Sequence, residues 1–211
     1  MLIQLLCDNP RSWMVPHAEK FVTELREKKY DARLIHTHKE IAEGEILILL
    51  SCERIFKALH LNKHNLVIHA SALPNGKGWS PMTWQVLENK DRIPVTLFEA
   101  AAGVDSGDIY YQTDIELNGT ELVDELREKL AEAILDLTRT FLTAYPNVTP
   151  IPQTGEESFY PKRKPEDGRL DLTQPLESQL NLLRICDNER YPAFFEYKGQ
   201  KYILKIYKQH E

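Results

Sequence analysis

His69 is the residue whose setting most invites chemistry. It closes the apolar run Leu66-Val-Ile-His69 and opens a loop, Ala70-Ser-Ala-Leu-Pro-Asn-Gly-Lys-Gly78, that carries two glycines. Histidine takes and returns a proton near neutrality. The C-terminal end of a strand is where open α/β sheets place ligands, and glycine lets the backbone pass close to a substrate. Taken alone, a histidine at a strand end is more often structural than catalytic. A second stretch, Val95-Thr-Leu-Phe98 followed by Val104-Asp-Ser-Gly-Asp-Ile-Tyr110, sets Asp105 and Asp108 around a tight turn between strands. Without a fold in mind, that turn reads as solvated.

The elements that would position these residues follow from hydrophobic patterning. Leu2–Cys7, Ala32–Ile35, Ile46–Leu50 and Leu66–Ala70 read as strands, and Ile46-Leu-Ile-Leu-Leu50 suits a strand covered on both faces. A helix from about Val15 to Lys28 carries Phe21, Val22 and Leu25 at helical spacing. Short helices are expected over Cys52–Leu61 and Met82–Glu88, and strands over Pro94–Glu99 and Asp108–Ile115. A long helix runs from about Thr120 to Tyr145, with Leu122, Leu126, Leu130, Ile134 and Leu137 as a core-facing stripe. Asn118 and Glu121 resemble a capping box at its start. This alternation predicts an α/β fold with a mostly parallel sheet. Beyond Tyr145 the texture changes: Pro146, Pro150 and Pro152 break regular structure. A helix near Leu176–Ile185 and a hairpin of Phe194–Tyr197 and Tyr202–Ile206 follow. Residues 1–146 are therefore read as the core domain and 147–211 as a small C-terminal subdomain.

Composition narrows the field. The 211 residues are 42% hydrophobic and 27% charged, enough to bury a core without disulfides or metal. The apolar N-terminus runs into Asp8 and Arg11 without a basic region before it, so it reads as a first strand and not an export signal. No run is long enough to cross a bilayer. Cys7, Cys52 and Cys186 lack CxxC spacing and fit thiols in a reducing, cytoplasmic setting. His36-x-His38 and the His60/His64 pair read as surface residues, so no metal is expected. A net charge of −6 argues against a large nucleic-acid footprint but leaves room for a small anionic ligand.

In their order and spacing, the two chemical stretches resemble the signature of the folate-dependent formyltransferases: N-x-H-x-S-x-L-P, then R-G-x-x-P, a threonine, and D-x-G-D-I. His69, Ser71, Leu73, Pro74, Gly78 and Pro81 fall in place, Lys77 stands where the family often has Arg, and Thr96 and Asp105-Ser-Gly-Asp-Ile109 complete the pattern. Phe159–Arg163, Pro165–Gly168, Arg184 and Tyr191–Phe194 resemble the segment after the catalytic core in the tRNA and sugar formyltransferases. The likeness covers roughly residues 45–200.

The resemblance implies a Rossmann-like formyltransferase fold and transfer of a formyl group from 10-formyltetrahydrofolate to an amine. It implies His69 as general base with Asp105 supporting it, and folate beside Leu49, Leu50 and Ser51 and along Ala100–Val104 to Asp105. The expected chain ending, the acidic charge, Trp79 and Trp84 look most like the short nucleotide-sugar N-formyltransferases of surface-polysaccharide biosynthesis. The acceptor would be a UDP-linked 4-amino-4,6-dideoxy sugar, with no nucleic acid or membrane partner and a homodimer as the one self-association considered. Lys77, Lys162, Arg163 and Arg184 would serve the diphosphate, and Trp79 and Tyr160 the base or sugar, with Gly78 between. Two alternatives stand beside it: another amine, such as an aminoacyl group on a carrier or tRNA, and a folate- or nucleotide-binding protein without turnover.

One departure matters. The family's oxyanion-donating Asn, two residues before the histidine, is Val67 here. Asn65 shares the strand face but lies roughly 6.6 Å further back. Other donors considered are the N–H groups of Asn75–Gly78, protonated His69 and the Ser71 hydroxyl.

Overall fold

The computed structural model describes residues 1–209. In chain order it contains β1 (Leu2–Leu6), α1 (Val15–Glu27), β2 (Asp31–Ile35), β3 (Gly44–Leu49), β4 (Asn62–His69), β5 (Lys77–Gly78) and α2 (Pro81–Leu87). There follow β6 (Arg92–Glu99), β7 (Ile109–Glu116), α3 (Val123–Ala144), β8 (Phe159–Tyr160), α4 (Leu180–Ile185), β9 (Ala193–Tyr197) and β10 (Gln200–Leu204). Six strands form the central sheet in the order β2-β1-β3-β4-β6-β7. The first four run parallel, while β6 and β7 are antiparallel to their neighbours.

The apolar run of β3 shows why the sheet sits between two layers. Side chains alternate across a strand. Ile46, Ile48 and Leu50 enter the main core with Phe21, Leu126 and Phe141, whereas Leu47 and Leu49 join a second core with Leu6, Ile35 and Phe56 on the other face. The α1 helix begins with proline in its first turn and buries Ala18, Phe21, Val22 and Leu25. The α3 stripe places Leu126, Ile134, Leu137 and Phe141 in the core. Truncating a fully buried aromatic such as Phe141 costs about 3–5 kcal/mol.

Three local expectations are corrected. Cys52–Leu61 is not a helix: residues 52–58 form an irregular loop and only Leu59–Leu61 makes a 3₁₀ turn. Asp8 holds that loop by accepting the N–H groups of Glu53 and Arg54. Asn118 and Glu121 shape the turn before α3 and do not cap it. Glu121 accepts from the N–H groups of Asn118 and Gly119, and Glu125 instead accepts the Leu122 N–H at the helix start. His64 is not a surface residue: it contacts Glu99 and the Tyr110 hydroxyl and packs edge-on against Phe141 and Tyr145.

After residue 146 the chain gathers a small core of Leu170, Leu183, Cys186 and Ala193 under the β9–β10 hairpin. It is joined to the sheet layer at several points. Ile151 bridges Ile109, β8 pairs with β5, and Ile185 enters the main core. Among the described residues no helix is long and apolar enough to cross a membrane.

Candidate active site

A cavity of about 650 Å³ opens at the C-terminal ends of β3 and β4. The pattern of the sequence explains its position. The parallel half of the sheet ends at β4, where β6 turns back antiparallel, so the chain leaves both β3 and β4 at this point. His69 is the last residue of β4 and is buried, with 9% exposure, yet it lines the cavity.

The loop after His69 folds back over the ring. His69 Nε2 lies 2.9 Å from the Gly76 carbonyl oxygen and 3.7 Å from Asp105 Oδ2. The first is a hydrogen bond and the second is too long to be one. Asp105 instead accepts the Gly78 N–H at 2.8 Å. Gly78 has φ +96°, and a Cβ there would meet the Tyr160 carbonyl at 2.6 Å, so only glycine brings this N–H to the carboxylate. Asp105 itself sits in the left-handed region at φ 47°. Its loop is clasped by Gln153, whose side-chain amide donates to the Asp105 and Gly107 carbonyls. Gly107 packs so closely on β6 that a Cβ would overlap the Glu99 carbonyl, 1.6 Å away.

The 74–79 loop is held from the C-terminal segment. Gly76 N–H donates to Ser158 Oγ at 2.8 Å, Lys77 N–H to the Ser158 carbonyl, and Trp79 N–H to the Tyr160 carbonyl. Thr96 Oγ donates to the Ser71 carbonyl, and Gln112 supports Thr96 in turn. Gln153 and Ser158 are functional neighbours that sequence reasoning missed. They lie in a proline-interrupted stretch with no periodic signal, and only the fold brings them to residues 46 to 82 positions earlier.

The cavity has two kinds of wall. One side is largely apolar, formed by Leu49, Phe56, Val67, Phe98 and the Ala100–Val104 loop, with Ser51 at the end of β3. This composition fits a flat heteroaromatic ring. The other side carries Trp79, Arg127, Lys162, Arg163, Lys164 and Arg190. Lys162 Nζ lies 4.2 Å from the centre of the Trp79 ring, a cation over an aromatic face. Arg163 donates Nη2 to the Asp167 carbonyl, while its Nε is buried without a hydrogen-bond partner among the described residues. Burial lowers the pKa of its guanidinium. Arg127 is already paired with Asp187 at 2.9 Å.

Of the expected site residues, His69, Asp105, Leu49, Ser51, Ala100, Val104, Gly78, Trp79, Lys162 and Arg163 line this cavity. Four do not. Leu50 faces the main core at 2% exposure. Lys77 is 2% exposed and paired with Glu157. Tyr160 stacks on Trp84 and donates its hydroxyl to Glu88. Arg184 is 4% exposed and forms a buried pair with Glu121 at 3.1 Å. The alternating strand face claims Leu50, and side-chain partners elsewhere claim the other three.

Comparison with known proteins agrees with this fold. Residues 14–138 match the family described as formyl transferase. A methionyl-tRNA formyltransferase of Thermodesulfovibrio yellowstonii is 30% identical over 165 residues, covering 75% of this chain and 53% of that protein. The chain thus spans about half the length of the curated relatives it matches. Among solved structures, methionyl-tRNA formyltransferase from Clostridium thermocellum superposes with a TM-score of 0.81 at 23% identity, covering 99% of this chain and 93% of that one. HypX from Aquifex aeolicus in complex with tetrahydrofolic acid gives 0.74 at 18% identity, over 97% of this chain and 37% of that one. A sugar N-formyltransferase from a Shewanella species gives 0.72 at 14% identity, over 100% and 99%. These structural likenesses establish the shared α/β architecture, and the family match covers more than half of the sequence. The chain belongs to the formyl transferase family.

Proposed function

We propose that this protein transfers a formyl group from 10-formyltetrahydrofolate to the amine of a nucleotide-linked amino sugar. The observation that carries the reading is the joint placement of His69 and Asp105 around one glycine loop at the mouth of a two-sided cavity. The apolar side suits a pterin ring, and the tetrahydrofolate bound to the HypX neighbour supports a folate donor. The donor supplies the activated formyl carbon; this chain's residues bind, orient and move the proton.

A neutral His69 with its proton on Nε2, donated to Gly76, leaves Nδ1 with a lone pair. The acceptor amine attacks the formyl carbon and gives a proton to that nitrogen. The imidazolium so formed lies 3.7 Å from Asp105, which stabilises it through space. The carbon–nitrogen bond to the folate then breaks, and the proton passes to the departing folate nitrogen. The N-formylated acceptor and tetrahydrofolate leave, and His69 is neutral again.

The opposite wall supports a nucleotide sugar. Trp79 offers a flat face, Lys162 and Lys164 are exposed, and Arg163 adds a guanidinium to the same wall. The cations gather at this cavity in a chain of net charge −6. A second reading, an aminoacyl-tRNA amine, is favoured by the names of the sequence relatives. Incubation with 10-formyltetrahydrofolate and either UDP- and dTDP-linked amino sugars or methionyl-tRNA separates them by mass spectrometry. Formylation of a sugar is expected; formylation of methionyl-tRNA alone would transfer the assignment to the second reading.

A further inference from the structure

Formyl transfer drives electrons onto the formyl oxygen, and a hydrogen-bond donor aimed at that oxygen is a large part of such catalysis. Val67 cannot donate. Of the loop after His69, the N–H groups of residues 75–78 are spent: Asn75 on Ala72, Gly76 and Lys77 on Ser158, and Gly78 on Asp105. The Asn65 amide donates to the Leu59 carbonyl. Ser71 is 2% exposed and is not part of the cavity wall. Ser51 brings a hydroxyl to the cavity from the end of the neighbouring strand.

Ser51 lines the cavity immediately past β3. Leu49 of β3 pairs in parallel register with Val67 of β4, so two residues on, Ser51 leaves the sheet level with His69. Neighbouring strands lie about 4.8 Å apart, a gap that a formyl group can bridge. Ser51 holds a left-handed backbone conformation, φ 52°, which is uncommon for a residue with a Cβ and clusters at functional sites. Its hydroxyl is held from behind. Ser12, 8% exposed, accepts the Met14 N–H and donates to Ser51 Oγ at 3.3 Å. With that lone pair occupied, the Ser51 proton is left to point into the cavity.

We propose that the Ser51 hydroxyl, oriented by Ser12, donates to the formyl oxygen as its negative charge develops, supplying the donor that Val67 lacks. The proposal rests on the formyl-transfer reading. As the amine nitrogen bonds to the formyl carbon, the carbonyl π pair moves to oxygen and the Ser51 O–H hydrogen bond strengthens. The pair returns as the bond to the folate nitrogen breaks, and Ser51 keeps its proton throughout.

Steady-state kinetics of Ser51→Ala and Ser51→Gly test this in the full chain. Both should lower kcat about tenfold or more, with KM for donor and acceptor within about twofold of wild type, the pattern of an interaction made in the transition state. Ser51→Gly separates the role from structure. Glycine tolerates the left-handed region, so its thermal midpoint should hold or rise while kcat falls. Adding Val67→Asn to Ser51→Ala should recover part of kcat, because an amide at the neighbouring register position faces the same cavity. An active wild type with unchanged kcat in both serine variants, or with a change in KM alone, would overturn the proposal and leave the formyl-transfer reading standing. A wild type inactive with every amine would overturn both.

Discussion

His69 and Asp105 are joined through a glycine loop and not by a direct bond: the ring donates to Gly76 while the carboxylate takes the Gly78 N–H. The loop therefore fixes the ring's tautomer, and the Asp105 carboxylate lies 3.7 Å from the same ring nitrogen. Asp105→Asn keeps the hydrogen-bond acceptor for Gly78 and removes the charge. It should lower kcat about a hundredfold or more with little change in donor KM or thermal midpoint. Equal loss in both KM values with kcat intact would show that the charge serves binding.

Gly78→Ala is expected to be the more damaging loop variant. The new methyl meets the Tyr160 carbonyl at 2.6 Å in a left-handed conformation, at a cost of about 1–3 kcal/mol, and it pulls the N–H from Asp105. Thermal midpoint and kcat should fall together. A stable and fully active variant would mean that the 76–78 loop is not held against β8 in solution.

Arg184 separates a structural from a substrate-binding role. Arg184→Met leaves Glu121 buried, 3% exposed, with its nearest cation gone. That should destabilise the fold by about 3–5 kcal/mol while leaving acceptor KM unchanged. Burial alone would raise the Glu121 pKa, but backbone N–H bonds and the charges of Lys129 and Arg184 outweigh it and hold the pKa low. A raised acceptor KM in an otherwise stable variant would restore Arg184 to the substrate site.

Acid stability should report the pair of α1 and α3. Hydrogen bonds from Arg139 hold the Glu24 carboxyl at about 2, below its ordinary 4.5. A lowered folded-state pKa contributes stability that is complete above the unfolded value and lost as pH falls through the folded one. Chemical unfolding should therefore lose this contribution between about pH 4.5 and 2, and Glu24→Gln should flatten that interval. An unchanged slope in the variant would show that the pair is open in solution.

Much of this was legible in the chain. The alternating apolar runs located every strand of the central sheet, because a covered strand needs a continuous apolar sequence and a core helix a periodic one. His69 and Asp105 were legible as a pair only through the spacing of a whole signature; taken singly, each looked like an ordinary loop residue. What stayed hidden depended on partners distant in sequence. Arg184 and Lys77 have the residue type of phosphate binders, and only the positions of Glu121 and Glu157 reveal them as ion-paired, the first in a buried pair and the second with a buried amine on an exposed carboxylate. Cys52–Leu61 reads as a short helix in sequence, yet residues 52–58 are a loop tied to Asp8, which lies more than forty positions earlier. Tyr160 was visible as an aromatic near the loop, but its stacking on Trp84 was not.

The most direct test of the central claim follows tetrahydrofolate release and acceptor mass together, in wild type and His69→Ala, with 10-formyltetrahydrofolate and an amino-sugar nucleotide. One formyl group gained per tetrahydrofolate released in wild type, and neither in His69→Ala, is the predicted result. Tetrahydrofolate release without a formylated acceptor, or equal transfer by His69→Ala, would contradict it.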